Sequence, residues 1–461
     1  MSIELLEKAA RIAEGGARED AVALLLPYLD KNPDDPRALF LLGFCFMGAD
    51  KIGLSYQMFK RATELEPREA ASWHNLGKCY HEAHRTEDAE NCFRRALRLN
   101  PQFVNSLNGM GLVSVHRGDY DKAIGYSDAA LKLEPASLDA KLNKGMAKLA
   151  LGQWREGWRD YNENIGIYKD RKQLQYTLKN GRDLKWDGTK GLDIVCFGEQ
   201  GIGDELSFAS CLPDLIRDSK YVTVECDKRL EGLFKRSFPD AEVHGTRYKE
   251  SRTWSETRNF DTSVAIGALP QFYRNADTDF PGTPYLKADP SLRLQWRALF
   301  DSIGPEPKVG IAWNGGQWHT NKLNRSVTLE TLLPILKQKA HFVSLEYSDP
   351  RDDIEAFERE HGIKIHYWPH GTQIYDYDVT AALVAELDLV ISVTTTVVHL
   401  AGGLGKECWC LVPYRVMWRY LTSGTWFPWA KSVELYRQRS EGWPVNELAA
   451  KLAERCSVKN T

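Results

Sequence analysis

Four glycines in the first third of the chain, Gly43, Gly77, Gly111 and Gly145, follow one another at a fixed spacing of 34 residues. Four prolines, Pro33, Pro67, Pro101 and Pro135, keep the same interval. A repeat this long and this regular cannot be one strand or one helix. It is the length of two helices and their turns, stacked unit upon unit. Small residues are then required where two helices touch, and proline stops the second helix of each pair.

The copy at 70–103 is the clearest. Trp73, Leu76, Gly77 and Tyr80 mark its first helix, and Ala89, Phe93 and Ala96 its second, before Pro101. This is the tetratricopeptide signature. The copies at 36–69 and 104–137 keep Leu42, Gly43, Phe59, Ala62 and Pro67, and Met110, Gly111, Ala123, Ala130 and Pro135. Weaker copies at 2–33 and 138–168 are the expected caps, so a solenoid is expected over residues 1–168. Met1 to Gly16 reads as an amphipathic helix bearing Glu4, Glu7 and Glu14 rather than as a signal peptide. On the concave face, two residues before each glycine, stand Leu41, Asn75, Gly109 and Asn143. An asparagine there can pair a peptide backbone through one donor and one acceptor, so Asn75 and Asn143 are candidate acceptor-binding residues. The alternative reading for both is a solvated polar helix face.

The period ends near residue 169, where a charged connector, 169–190, begins. Short β-rich runs then alternate with helical ones: Leu192–Phe197, Tyr221–Cys226, Thr262–Ile266, Lys308–Trp313, His341–Glu346, Leu387–Val393 and Cys408–Val412. Alternation of this kind implies parallel sheets. Prolines cluster between Pro281 and Pro307, dividing the body into lobes at 191–305 and 306–440, with a C-terminal helix over 441–461. The fold class expected is therefore α + α/β: a helical solenoid followed by two Rossmann-like lobes.

A net charge of −3 over 461 residues gives no basic surface for nucleic acid, and no apolar run has the length of a membrane span. The nine cysteines are scattered without a Cys-x-x-Cys pair, which suits buried thiols of a cytoplasmic protein and argues against a metal site.

Three segments could carry chemistry. Gly198 to Glu205 follows the first strand of lobe one and leads into a helix expected over 206–217. The loop glycines Gly201 and Gly203, with Gln200 between strand and turn, allow close approach to a ligand. Acidic residues replace the third glycine of a dinucleotide fingerprint and would repel a pyrophosphate. A general base fits better: Asp204, with Glu205 and Glu199 as alternates, although Asp204 could also cap the helix. Next, a buried strand ends in Thr394, Thr395 and Thr396 and opens a small-residue helix, where backbone N–H groups and hydroxyls could hold a phosphate. His399, one turn in, could touch that phosphate or pack in the core. The third segment, Ile311 to Ser326, is a glycine-rich loop after the first strand of lobe two. Its Asn314, Lys322 and Arg325 suit a diphosphate.

With these residues the chain resembles the bacterial tetratricopeptide-repeat glycosyltransferases. These are related to heptosyltransferases, share the GT-B architecture, and have a domain arrangement like that of the protein O-GlcNAc transferases. The likeness runs from about Trp154 to the C-terminus. It rests on Trp154–Trp158, Gly198–Asp204, Asn324–Ser326, Ile391–Gly402, Trp418–Arg419 and Gly442–Glu454. The resemblance implies an inverting, metal-independent transfer of sugar from a nucleotide-sugar co-substrate, with no other cofactor, to a hydroxyl of a protein acceptor such as flagellin. Asp204 matches the base, and Thr394–His399, Lys322 and Arg325 match the donor site. The chain departs from the family at Thr394, where aspartate is usual, at Lys322–Leu323, where an Asp-Arg pair is common, and at Glu346, where glutamine is frequent. A catalytically degenerate protein-binding scaffold and a glycolipid-modifying transferase are the alternative readings.

Overall fold

The computed structural model describes residues 2–163, 165, 185–247, 253–256, 258–316, 322–372 and 375–458. Most of the expected connector at 169–190, and Trp318, His319 and Asn321 of the glycine-rich loop, lie outside the described residues. The chain divides into two compact units, Met1–Lys148 and Leu149–Thr461.

The first unit is a succession of packed helix pairs: α1 (Ser2–Glu14) with α2 (Arg18–Lys31), α3 (Pro36–Gly48) with α4 (Ile52–Leu65), α5 (Ala70–Glu82) with α6 (Thr86–Leu99), and α7 (Val104–Arg117) with α8 (Tyr120–Leu133). Helix α9 (Leu138–Ala150) starts the next pair. Each repeat proline falls just beyond the second helix of its pair, where a missing N–H costs nothing. The glycines are contact points: a Cβ on Gly77 would lie 2.7 Å from the Phe93 ring. Phe93 and Phe59 are buried, and Ala62, Ala89 and Ala96 let them in. Gly77→Val is therefore expected to destabilise the solenoid by about 1–3 kcal/mol through overpacking. A fall in the urea midpoint at unchanged slope checks it; an unchanged midpoint rejects the contact.

The concave-face expectation needs correction at Asn143. Asn143 is buried, and its amide donates to the Asn108 carbonyl at 3.0 Å, tying α9 to α7. Asn75 is half-buried, and its amide donates to the Ala71 carbonyl of its own helix at 3.0 Å. Asn143 is a structural clip between helices, because the side chain at this position meets the neighbouring helix before it meets solvent.

The second unit begins ahead of residue 168. Helix α10 (Trp154–Asn162), expected as part of a last repeat, packs on this unit. Trp158 is fully buried and its indole N–H donates to the Arg274 carbonyl at 2.7 Å; that of Trp154 donates to Asp277 at 2.7 Å. The indole of Trp158 sits edge-on to Trp418, with centroids 5.3 Å apart.

Behind α10 lie two parallel sheets. The first has the order β3-β2-β1-β4, from β1 (Asp193–Phe197), β2 (Tyr221–Glu225), β3 (Glu242–His244) and β4 (Thr262–Ala265). The second has the order β10-β9-β8-β5-β6-β7, from β5 (Lys308–Ala312), β6 (His341–Ser344), β7 (Ile365–His366), β8 (Leu389–Val393), β9 (Cys408–Val412) and β10 (Val433–Arg437). The central strands are buried on both faces and read as continuous apolar runs. The C-terminal helix, Val445–Val458, closes the second core with Leu448, Leu452 and Cys456. Helix Pro290–Ser302, expected in the first lobe, instead packs on helix Tyr377–Glu386 of the second sheet. Arg293 and Arg297 both pair there with Glu386. All nine cysteines are buried. Among the described residues no helix is long and apolar enough to cross a membrane.

Candidate functional site

Three loops leave the carboxyl ends of β1, β5 and β8, the ends where ligands of parallel sheets bind. The loop after β1 turns sharply at Gln200, a non-glycine residue with φ of 60°. Such a conformation costs about 1–3 kcal/mol and must be held by its surroundings. Here the Gln200 carbonyl accepts from Arg247, and its side-chain oxygen accepts from the Tyr161 hydroxyl at 3.2 Å.

The helix that follows, α11 (Ile202–Phe208), starts earlier than the expected 206. Gly201 is its N-cap and Asp204 its third residue. Asp204 does not cap by accepting from the residues after it. It reaches back, and the Gly201 N–H donates to its Oδ2 at 3.0 Å. Its Oδ1 is paired with Arg419. The Asp204 side chain is 24% exposed and that of Arg419 4%.

The alternates behave differently. Glu205 is fully buried; its Oε2 accepts from the Asp227 N–H at 2.9 Å and its Oε1 pairs with Arg247. Burial pushes its carboxyl up to about 7, against the pull of Arg247. Its place is between β1 and β2, holding the loop, so the expected catalytic alternate is a structural residue. Glu199 is likewise buried, with the Gln200 amide at 3.4 Å.

Opposite α11 stands the helix Thr396–Leu404, with Thr395 as its N-cap. A Cβ on Gly203 would lie 3.1 Å from the Thr396 hydroxyl, so the two helix starts nearly touch. Thr394 is buried. Its hydroxyl accepts from Arg325 Nε at 3.3 Å, and its carbonyl accepts from the same guanidinium. The Thr395 hydroxyl lies 3.2 Å from that of Ser392. His399 is buried, with Nε2 at 3.4 Å from the Tyr420 hydroxyl. Burial, then the charge of Arg419, push its imidazole down to about 3, which keeps the ring neutral at physiological pH. Its Nδ1 and Arg419 Nε are buried without a hydrogen-bond partner among the described residues.

The loop after β5 supplies Arg325 from a short helix, Lys322–Arg325. A Cβ on Gly315 would lie 2.3 Å from the Arg325 Cβ, so only glycine lets the loop fold back here. The loop is anchored by buried Glu346, whose Oε1 accepts the backbone N–H groups of Trp313 and Asn314 at 2.7 and 2.8 Å. Burial pushes the Glu346 carboxyl up, against those hydrogen bonds and the charge of Lys322. Asn314 and Lys322 therefore gather around Glu346, whereas Arg325 reaches the threonine turn.

Asp204, Gly203, Thr394–Thr396, His399 and Arg325 thus meet in one place. The sequence reading left Arg419 out of that set. It lies in a turn beside Trp418, whose ring its guanidinium covers at 4.3 Å. Its signal in the sequence was its place in the Trp418–Arg419 pair that the resemblance includes. Among the described residues the place holds the buried guanidinium of Arg419, the half-buried one of Arg325, the carboxylate of Asp204 and a neutral imidazole. The remaining positive charge, with the N-terminus of the helix, suits an anion there.

A tetratricopeptide-repeat solenoid joined to an α/β body of two parallel sheets is the class these features define. Residues 56–158 match the family described as the cilia and flagella-associated protein 70 middle TPR-like domain. Over 438 residues the chain is 26% identical to Protein FlbA of Caulobacter vibrioides, spanning 91% of this chain and 72% of FlbA. Solved structures it resembles include MamA, at 21% identity over 34% of this chain and 91% of MamA with a TM-score of 0.31. A second is a thermophilic TPR protein of Thermus thermophilus, at 22% identity over 36% of this chain and 90% of that one, with a TM-score of 0.32. Tetratricopeptide repeats bind protein partners.

Proposed function

We propose that the second unit is a GT-B-type glycosyltransferase body, moving a sugar from a nucleotide-sugar to a hydroxyl of a protein bound by the repeats. One observation carries the reading: a carboxylate at the start of α11 faces two guanidiniums and a helix N-terminus across the carboxyl ends of two parallel sheets. The donor phosphate would lie against Arg325, Arg419 and the Thr395–Thr396 turn. Asp204 would take the proton of the attacking hydroxyl as the bond between sugar and phosphate breaks, and the leaving phosphate would be stabilised electrostatically. Thr394, standing where related enzymes carry aspartate, is turned toward Arg325 and removes one negative charge from the phosphate's surroundings. That change favours a donor with more charge on its phosphate. The acceptor would be a cytoplasmic protein before export, flagellin being one candidate.

Native mass spectrometry of the purified protein mixed with a panel of nucleotide-sugars tests this. One donor class is expected to be retained, and to raise the melting temperature through mass action. Retention of no donor would favour the protein-binding scaffold, a reading that the engagement of both Asp204 oxygens supports. Retention together with transfer to lipid but not protein would favour the glycolipid enzyme.

A further inference from the structure

Both oxygens of the Asp204 carboxylate are engaged, one by the Gly201 N–H and one by Arg419. A base in that condition is poorly placed to accept a proton. Arg419 is itself incompletely satisfied. Its guanidinium reaches Asp204 and, at 3.4 Å, the Gln200 side chain, while its buried Nε has no partner among the described residues. It lies over the faces of Trp418 and Phe208, at 4.3 and 5.4 Å from the ring centroids, which orient its plane without consuming its donors. The Nε–Nη edge of arginine matches a phosphate bidentately, and a phosphate carries more charge than one carboxylate. The two helix starts are in contact, so a phosphate at Thr395–Thr396 comes within reach of the same guanidinium.

We propose that Arg419 is an exchangeable partner of Asp204: it holds the carboxylate until the donor phosphate takes the guanidinium, and the carboxylate so released is the base. The proposal rests on the sugar-transfer reading and adds an order to it, since the base forms only once the donor is bound. In the step that follows, the acceptor hydroxyl gives its proton to Asp204. Its oxygen bonds the anomeric carbon, and the electron pair of the broken carbon–oxygen bond leaves with the phosphate. Water entering before the donor meets a paired, inactive carboxylate. Arg419 is in these terms a positioning residue for the base and a binding residue for the donor.

The test is a double-mutant cycle read by calorimetric titration of UDP, GDP and CMP into the full chain, with thermal melts to check folding. Four proteins are compared: the parent, Asp204→Asn, Arg419→Gln and the double variant. For the nucleotide that binds the parent, Arg419→Gln is expected to weaken affinity about tenfold. Asp204→Asn should tighten it about threefold, because phosphate no longer competes with a carboxylate for the guanidinium. That gain should vanish in the Arg419→Gln background. An equal gain in both backgrounds would mean simple repulsion between Asp204 and phosphate, and would overturn the exchange. So would an Arg419→Gln protein of parental affinity. If Arg419→Gln melts early, Arg419→Lys replaces it. Lysine keeps the charge but not the fork, so about a tenfold loss with a vanishing Asp204→Asn gain is again required. If none of the three nucleotides binds the parent, the sugar-transfer reading falls, and the exchange with it. Binding without coupling sinks the exchange alone.

Discussion

Replacement of Asp204 by asparagine is expected to lower the proposed sugar transfer by about 100- to 10,000-fold, the range for loss of a general base. Asparagine keeps the shape and can still accept from the Gly201 N–H, which Asp204 does at 3.0 Å, so α11 should keep its start. Its NH2 then stands where Asp204 Oδ1 meets Arg419, so that cation loses its charged partner and keeps the Gln200 side chain at 3.4 Å. The fall should appear in kcat, with donor affinity improved and the melting temperature somewhat lowered by loss of the Arg419 ion pair. Initial rates against donor concentration separate these terms. Parental kcat in a folded Asp204→Asn protein would remove Asp204 from the chemistry.

The second large effect concerns a residue that touches no ligand. Trp158→Ala should cost about 3–5 kcal/mol of stability in the second unit, the usual range for removing a fully buried aromatic side chain. The indole donates to the Arg274 carbonyl at 2.7 Å and lies edge-on to Trp418 at 5.3 Å and to Trp429 at 6.3 Å. Its loss leaves a cavity among these rings and orphans a buried carbonyl. Trp418 is adjacent to the Asp204 partner Arg419, and Tyr161 on the same helix α10 holds the strained Gln200 turn. Transfer should fall along with stability, and Trp158→Phe should recover most of both, since it refills much of the space. The urea midpoint and rate of each variant, measured side by side, check this. If Trp158→Ala were as stable as the parent, α10 would be an ornament of the repeat array and not a strap of the second unit.

Residue Trp158 also marks where sequence and structure part. A 34-residue period could be followed through Pro135, because helix-pair contacts are local and each repeat solves the same packing problem. At α10 the period continues to Gly157, 34 residues after Ala123, yet its tryptophans bind a different partner. The glycine is used in the same way, packed against Leu149, but the aromatic face is turned to the second unit. Strands were legible where they are central and apolar, as in Asp193–Phe197 or Cys408–Val412. The short strands Glu242–His244 and Ile365–His366 were not, since edge strands carry polar residues and too few positions to show a pattern. The edge strand Val433–Arg437 was also missed, its run mixing Glu434 and Arg437 with apolar residues.

What the sequence determined by itself is the kind of scaffold: a periodic helical array, then strands with glycine-rich turns at their carboxyl ends. Those features depend on neighbours along the chain, and composition and spacing report them directly. The identity of the partners was decided only in three dimensions. Glu205 and Asp204 are adjacent in sequence, yet one is buried against Arg247 and the other meets Arg419. A helix turns consecutive residues by about 100°, so neighbours in sequence face different surroundings. Which surroundings they face depends on how two sheets, separated by long stretches of chain, come to lie together.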